Sequence, residues 1–270
     1  MIEFKCRKID RQNNNTPIVS NRELDEFAHA VLLDYQPHLL REPGRIRFEH
    51  FLEYYLKVNL EFHDIYSDDP DRPILGATAF HDGELKIFNR EQMCISKIPV
   101  AARTVIIDNS VMKPGKEGLA LFTGLHEGGH VLVHSGVYAS DPENQISPED
   151  ESSLICCRRG NIESFGTGNK TRSAADWREH HADYFAAAIA MPNATFVPVV
   201  NQLLREQNFW KGQIVTGRDE ELDYLAEYLL PECISEIYGV SKKAAFIKLK
   251  KVGFVMDKKF HDGLKEQTTL

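Results

Sequence analysis

Apolar residues recur every three or four positions in two early segments, and this spacing predicts two helices. Asn21 is expected to cap the first helix, and residues 48–58 are expected to form the second. The apolar stripe of the first helix comprises Leu24, Phe27, Ala28, Val31 and Leu32. The core candidates of the second are Phe51, Tyr54 and Tyr55. Residues 13–17, an asparagine run that ends in Thr-Pro, are expected to form a loop.

The pattern then changes to short runs typical of strands. Residues 60–66 alternate, and residues 103–108 contain a β-branched run. Two further apolar runs, at 74–80 and 84–88, flank His81-Asp82-Gly83, and an Asp-Gly pair in this position predicts a β-hairpin. The expected product is a small, mainly antiparallel sheet.

Helical patterns return in the second half of the chain. Helices are predicted at residues 117–134, 173–191, 196–207 and 220–230, with Pro192 ending the second of them. A polar connection of unusual length, residues 135–172, separates the first two helices, and connections of this length are usually functional or mobile.

Composition and charge narrow the class of protein. The 270 residues are 42% hydrophobic and 27% charged, which is typical of a globular chain, and the net charge of -8 argues against general attraction to nucleic acid or anionic membranes. The N-terminus carries charges where a signal peptide needs an apolar run, and no stretch is long enough to cross a membrane. Five cysteines without C-x-x-C spacing favour reduced thiols. We therefore expect a soluble, cytoplasmic protein.

One short motif suggests metal chemistry. In His126-Glu127-Gly128-Gly129-His130 the two histidines are four residues apart, so on a helix both imidazoles can reach one ion. Glu127 would lie beside that ion and take a proton from water there. The alternative is an amphipathic helix with two surface histidines. The two glycines inside a helix cost about 1 kcal/mol each. We therefore expect the helix around Glu179 or a substrate strand to cross at this point.

A catalytic zinc site needs a third protein ligand. Val133 and Gly136 exclude the metzincin pattern, which has Gly and His at those positions. Glu179 on the later helix can supply the ligand instead, and Asp183, one turn further on, can hydrogen-bond a ligand histidine. His180 and His181 are weaker candidates for the metal.

The segment EHHADYFAAAIAMP, residues 179–192, resembles the second motif of the ImmA/IrrE metallopeptidase family, approximately E-x-x-A-N-x-F-A-A-x-x-L-M-P. Together with H-E-x-x-H-x-x-x-H, which ends at His134, the resemblance covers about residues 20 to 255. It implies a gluzincin-like peptidase that cuts a repressor protein. It further implies that His126, His130 and Glu179 bind Zn2+ and that Glu127 is the general base. The chain departs from the family at Asp183, where Asn is usual, at Gly128, where a bulky apolar residue is usual, and in its longer connection.

The residue that stabilises the oxyanion is less defined. His134, one turn past His130, is one candidate, and Tyr138 and Tyr184 are others. For each of them, packing or support of a ligand is the alternative role.

The C-terminal segment has a helix-turn-helix pattern. Gly239 is expected to make the turn, and Ser241 is expected to cap a second helix that is rich in lysine. Two interpretations remain open. One is DNA recognition, and the other, which the acidic chain favours, is a helical lobe that completes the fold.

Together these patterns predict an α+β fold in which a small, mainly antiparallel sheet packs on a zinc-binding helix pair, followed by the C-terminal helical lobe. The expected organisation is an N-terminal extension at 1–20, a zinc metallopeptidase domain at 21–230 and the helix-turn-helix-like segment at 231–270. The expected partner is a protein substrate, with a helix-turn-helix repressor as one candidate and no membrane. The competing hypotheses are a DNA-binding regulator and a toxin–antitoxin component, either with a metal site not used for proteolysis.

Overall fold

A computed structural model of the chain describes residues 2–6, 8–10, 16–138, 154–158 and 173–258. For residue 138 and residues 154–158 it describes the backbone alone. The fold is α+β, with small, mostly antiparallel sheets and helices at the C-terminal end, as the sequence predicts.

The first helix, α1, covers Asn21–Tyr35 and buries the whole predicted stripe. Its N-cap is Ser20 rather than Asn21. The Ser20 hydroxyl accepts from the backbone N–H of Glu23, and the Glu23 carboxylate accepts from the backbone N–H of Ser20. This reciprocal capping box satisfies two N–H groups that a helix start otherwise leaves unpaired. The capping prediction at Asn21 is therefore wrong by one residue.

The second predicted helix is only partly α-helical. After the 3-10 helix Pro37–Leu40, α2 covers Phe48–His50 and continues as a π-helical turn, Phe51–Tyr55. Phe51 and Tyr55, four residues apart, lie on one side of this turn and their rings stack. Tyr54 turns outward and is 63% exposed. The prediction that Tyr54 belongs to the core is wrong for this reason.

Ten short strands are present in the part of the chain that the structure describes. In chain order they are β1 Ile9–Asp10, β2 Thr16–Pro17, β3 Asn59–His63, β4 Ile74–Ala79, β5 Gly83–Asn89, β6 Cys94–Val100, β7 Thr104–Asp108, β8 Leu154–Arg158, β9 Ile214–Thr216 and β10 Val255–Asp257. The main sheet has the order β3-β7-β4-β8, with β3 parallel to β7 and the other pairs antiparallel. β2 lies in the stretch predicted as a loop, and β8 lies inside the long polar connection.

The predicted hairpin at Asp82-Gly83 does not form. Both strands exist, but β5 pairs with β6, whereas β4 pairs with β7 and β8. All six residues of β4 are buried, and the strand has a hydrogen-bonded neighbour on each edge. Asp82 accepts a hydrogen bond from the backbone N–H of Ala102 at 2.7 Å and so ties the loop to the start of β7. Tertiary pairing has overridden a local turn signal.

The helices of the second half follow the predicted order. They are α3 Glu117–Val133, α4 Ser135–Tyr138, α5 Ala174–Ala190, α6 Asn193–Glu206, α7 Glu220–Tyr224, α8 Leu230–Tyr238 and α9 Lys242–Val252. A π-helical turn, Leu225–Leu229, joins α7 to α8 without a break, so the expected boundary between residues 230 and 231 lies within continuous helix. Gly239 has φ 72° in the turn after α8, and the Ser241 hydroxyl caps α9, both as predicted.

Helix α3 lies between the sheet and α5, and its two motif glycines face different neighbours. A Cβ on Gly129 would lie 3.1 Å from Cα of Ala182, so α5 crosses α3 there. A Cβ on Gly128 would lie 3.0 Å from the Phe51 ring. The expectation that the later helix crosses at the glycine pair is confirmed at Gly129, while Gly128 makes room for the π-helical turn.

Among the described helices, none is by itself long and apolar enough to cross a membrane. Helices α5 and α6 together are long and apolar enough by length and composition, but a bend of 63° separates them. Both helices contribute to the buried core, for example through Phe185 and Phe196.

Candidate metal centre

Three side chains from two helices converge on one point. Nε2 of His126 and Nε2 of His130 lie 3.0 Å apart, because four residues return α3 to the same face. The Glu179 carboxylate, on α5, reaches both rings. Its Oε2 lies 3.4 Å from Nε2 of His126, and its Oε1 lies 3.3 Å from Nε2 of His130. These residues form a buried group that could hold a metal ion.

The spacing within this group fits a small tetrahedral ion. Metal–ligand bonds of about 2.0–2.1 Å at tetrahedral angles separate two ligand atoms by about 3.3 Å. The three separations here are 3.0, 3.3 and 3.4 Å. Both histidines are fully buried, whereas the Glu179 side chain is 16% exposed. Glu179 is therefore the least buried member of the group.

Asp183 supports the first histidine, as the sequence predicts. Nδ1 of His126 donates to Oδ1 of Asp183 at 2.8 Å, which leaves Nε2 of the same ring without a proton and able to bind an ion. Burial raises the pKa of Asp183, and the contact with His126 opposes that rise.

His134 supports the second histidine. Its Nδ1 lies 3.0 Å from Nδ1 of His130, the ring nitrogen that faces away from Glu179. Its Nε2 lies 3.5 Å from Nδ1 of His181. Thus a row of imidazoles leads from the ligand group toward His181, and the His134 ring lies behind His130.

Burial and charge act against each other in the ligand group. Burial alone would raise the pKa of Glu179, but hydrogen bonds and charge from His126 and His130 hold it well below its ordinary value. Burial lowers the pKa of His130 and, more strongly, that of His134. These directions favour the charged carboxylate of Glu179 and the neutral imidazoles of His130 and His134, which are the forms that bind metal ions.

Glu127 is beside the ligand group and faces the sheet. It is fully buried, and its Oε2 accepts a hydrogen bond of 2.6 Å from the Thr78 hydroxyl on β4. Its Oε1 has no hydrogen-bond partner among the described residues. Burial raises the pKa of Glu127 to about 7, although His126 and Thr78 lower it. A carboxylate with this pKa can both take up and release a proton near neutral pH.

Two residues that contact Glu127 are not among the site residues predicted from the sequence. They are Thr78 and Gly76, where a Cβ would lie 2.6 Å from Oε1 of Glu127. The available signal was the run Gly-Ala-Thr-Ala at 76–79, whose side chains are small for a central strand. Nothing in the sequence, however, indicates which element faces that run.

The other candidates for the site lie elsewhere. Nε2 of His180 lies 3.1 Å from Oδ1 of Asn21, outside the ligand group. The Tyr184 hydroxyl donates to Asp25 at 2.7 Å, on the face of α5 toward α1. The side chain of Tyr138 lies outside the described residues.

The lysines of α9 are largely engaged within the chain. Lys248 is 5% exposed and lies over the Phe196 ring. Lys242 pairs with Glu232, and Lys250 pairs with Asp257. Lys251 lies over the Tyr184 ring. These contacts tie α9 to the rest of the fold.

Two comparisons with known proteins found no match for the chain. No protein-family model matches the chain. No curated protein matches it either.

Proposed function

We propose that the chain is a zinc-dependent endopeptidase that hydrolyses a peptide bond in a regulatory protein. The observation that carries this proposal is the group formed by His126, His130 and Glu179, with the buried carboxylate of Glu127 on the residue next to His126. Among the described residues the group has three protein ligands, the number typical of catalytic zinc sites, whereas structural sites usually have four.

The donor atoms favour zinc among the common ions. Two imidazole nitrogens and one carboxylate oxygen suit zinc, while calcium and magnesium prefer oxygen donors alone. When bound, zinc polarises a carbonyl group and makes water more acidic. Asp183 and His134 hold the two ligand rings in the orientation that directs Nε2 toward the group. His134 therefore has a supporting role in this proposal rather than the oxyanion role.

Glu127 moves the proton in this proposal. Its Oε1 accepts a proton from the attacking water and later delivers it to the nitrogen of the departing amine. A pKa near 7 suits both steps, because the group gives up the proton as readily as it takes it. Full burial keeps bulk water from supplying or removing that proton.

The proposed substrate follows from the resemblance of residues 126–134 and 179–192 to the ImmA/IrrE motifs. Members of that family cut repressor proteins, so a helix-turn-helix repressor in the same cytoplasmic compartment is the first candidate. The rival hypotheses, a DNA-binding regulator and a toxin–antitoxin component, need the metal group for something other than proteolysis. The buried ammonium of Lys248 counts against the DNA-binding rival, since a buried lysine is poorly available to phosphate groups.

Metal analysis and peptide cleavage test the proposal together. The purified protein should contain about one zinc ion per chain, and His126→Ala should lose it. The wild type should cleave members of a proteome-derived peptide library, read as new N-termini by mass spectrometry. Glu127→Gln should keep the zinc and lose cleavage. Glu117→Gln, an exposed glutamate on the same helix, is the matched control and should change neither result. Cleavage by Glu127→Gln at the wild-type rate would exclude Glu127 as the base.

A further inference from the structure

We propose that Thr78 is a positioning residue for Glu127, and that its hydroxyl fixes the orientation of the carboxylate so that one oxygen is left free to accept the proton. The inference rests on the proposed peptidase function. The side chain of Thr78 is 1% exposed, and its hydroxyl donates to Oε2 of Glu127 at 2.6 Å. Hydrogen bonds from a hydroxyl to a charged carboxylate are short and strong. The carboxylate is thereby held at one oxygen while the other stays free.

The strand that carries Thr78 is firmly fixed. β4 is central in the main sheet, and Thr78 has Val105 of β7 on one side and Ile155 of β8 on the other in the strand register. A threonine is itself restricted at χ1, because two heavy atoms branch from its Cβ. The hydroxyl therefore has a defined position relative to α3, even though 49 residues separate it from Glu127 in the chain.

Gly76 completes the arrangement on the same strand. A Cβ at this position would lie 2.6 Å from Oε1 of Glu127 and 3.0 Å from Cγ2 of Thr123. Only glycine leaves room for the carboxylate to lie against the strand. β4 thus supplies a donor for one oxygen at Thr78 and open space for the other oxygen at Gly76. Rotation of the carboxylate out of its observed plane would break the hydrogen bond to Thr78, so this bond opposes the rotation.

Replacement of the hydroxyl tests the inference on the peptide that the wild type cleaves. Thr78→Val keeps the shape of the side chain and removes the donor, whereas Thr78→Ser keeps the donor. We expect Thr78→Val to lower kcat by about ten- to a hundredfold, less than the loss of the general base itself, with KM and zinc content unchanged. Thr78→Ser should recover most of kcat. The matched control is Thr104→Val on the adjacent strand, because the Thr104 hydroxyl is buried without a partner among the described residues. That variant should keep the wild-type kcat.

A second readout does not depend on activity. In metal-free protein, the unfolding free energies of Thr78→Val, Glu127→Met and the double variant form a double-mutant cycle, since methionine removes the acceptor that glutamine would retain. We expect the effects to be non-additive, and we expect the effects of Thr104→Val and Glu127→Met to add. If Thr78→Val does not fold, Thr78→Ala and Thr78→Ser provide the same comparison with a smaller side chain.

The outcomes separate the two proposals. A wild-type kcat in Thr78→Val, or additive effects in the cycle, would overturn the role of Thr78. Equal cleavage by the wild type and Glu127→Gln, together with a non-additive cycle, would refute the general base while the contact with Thr78 stood.

Discussion

The hydrogen bond between Asp183 and His126 leads to a quantitative prediction for zinc affinity. Asp183→Leu removes the acceptor and retains a side chain of similar size, while Asp183→Asn retains an acceptor oxygen. Nδ1 of His126 lies 2.8 Å from Oδ1 of Asp183, and the two residues are 0% and 3% exposed. Bulk water therefore cannot replace the lost acceptor.

Two independent estimates give the size of the effect. Loss of a residue that supports a metal ligand usually weakens metal binding by about 10- to 100-fold, which corresponds to about 1.4–2.7 kcal/mol. A buried N–H group left without an acceptor costs about 1–3 kcal/mol. We therefore expect Asp183→Leu to weaken zinc binding by between one and two orders of magnitude. Asp183→Asn should lose less, because its amide oxygen still accepts, although a neutral acceptor makes a weaker bond.

Competition with a chelating chromophore measures these affinities directly. The melting temperature in excess zinc is a second measure, because zinc that binds only the folded chain stabilises it. Asp25→Leu is the matched control, since Asp25 accepts from Tyr184 and lies outside the ligand group. Its zinc affinity should equal that of the wild type. A folded Asp183→Leu protein with undiminished zinc affinity would refute the reasoning. His126 would then owe its orientation to packing alone.

Three further predictions follow from the packing of the helices. Lys248→Met should raise the free energy of unfolding at pH 7 by up to about 3 kcal/mol, since burial lowers the pKa of Lys248 from 10.5 to about 8 and each unit corresponds to about 1.4 kcal/mol. Between pH 8 and 10.5 the unfolded wild type binds more protons than the folded form, so the stability of the wild type rises over this range. Urea titrations should therefore show that the advantage of Lys248→Met vanishes by about pH 10.5. Lys243→Met, at an exposed position, should match the wild type at every pH. Gly129→Leu should lower the free energy of unfolding by about 1–3 kcal/mol in the same titrations and reduce zinc content, because the added side chain pushes α3 away from α5. Gly136→Leu should change little, since a Cβ at that position has no neighbouring atom within 4 Å. Tyr184→Phe should cost about 1 kcal/mol through its lost bond to Asp25 while peptide cleavage proceeds at the wild-type rate, and a large loss of cleavage would place Tyr184 at the site after all.

Much of the candidate metal centre could be predicted from the sequence because its key relations are local. His126 and His130 are four residues apart on one helix, and so are Glu179 and Asp183 on another. Helix geometry alone places each pair on one face. The cost of glycine within a helix likewise indicated that another element passes close to Gly129. The helices themselves were predictable to within a few residues, because the apolar periodicity and the caps of a helix depend on residues that are close together in the sequence.

The remaining features depended on contacts between distant segments. Asp82-Gly83 has the composition of a tight turn, yet β4 and β5 belong to different sheets, because β7 and β8 occupy both edges of β4. Lys248 lies on a helix whose composition suggests a solvated surface, yet packing against Phe196 buries it.

Thus the two helices, and the residues on them that could hold a metal ion, follow from the sequence. The arrangement of the rest of the site depends on tertiary packing. That packing placed His134 behind His130, and it brought Thr78 and Gly76 against Glu127. The reason is physical: a contact within one helix turn follows from backbone geometry. A contact between a strand and a helix 49 residues away follows only from how the whole core packs.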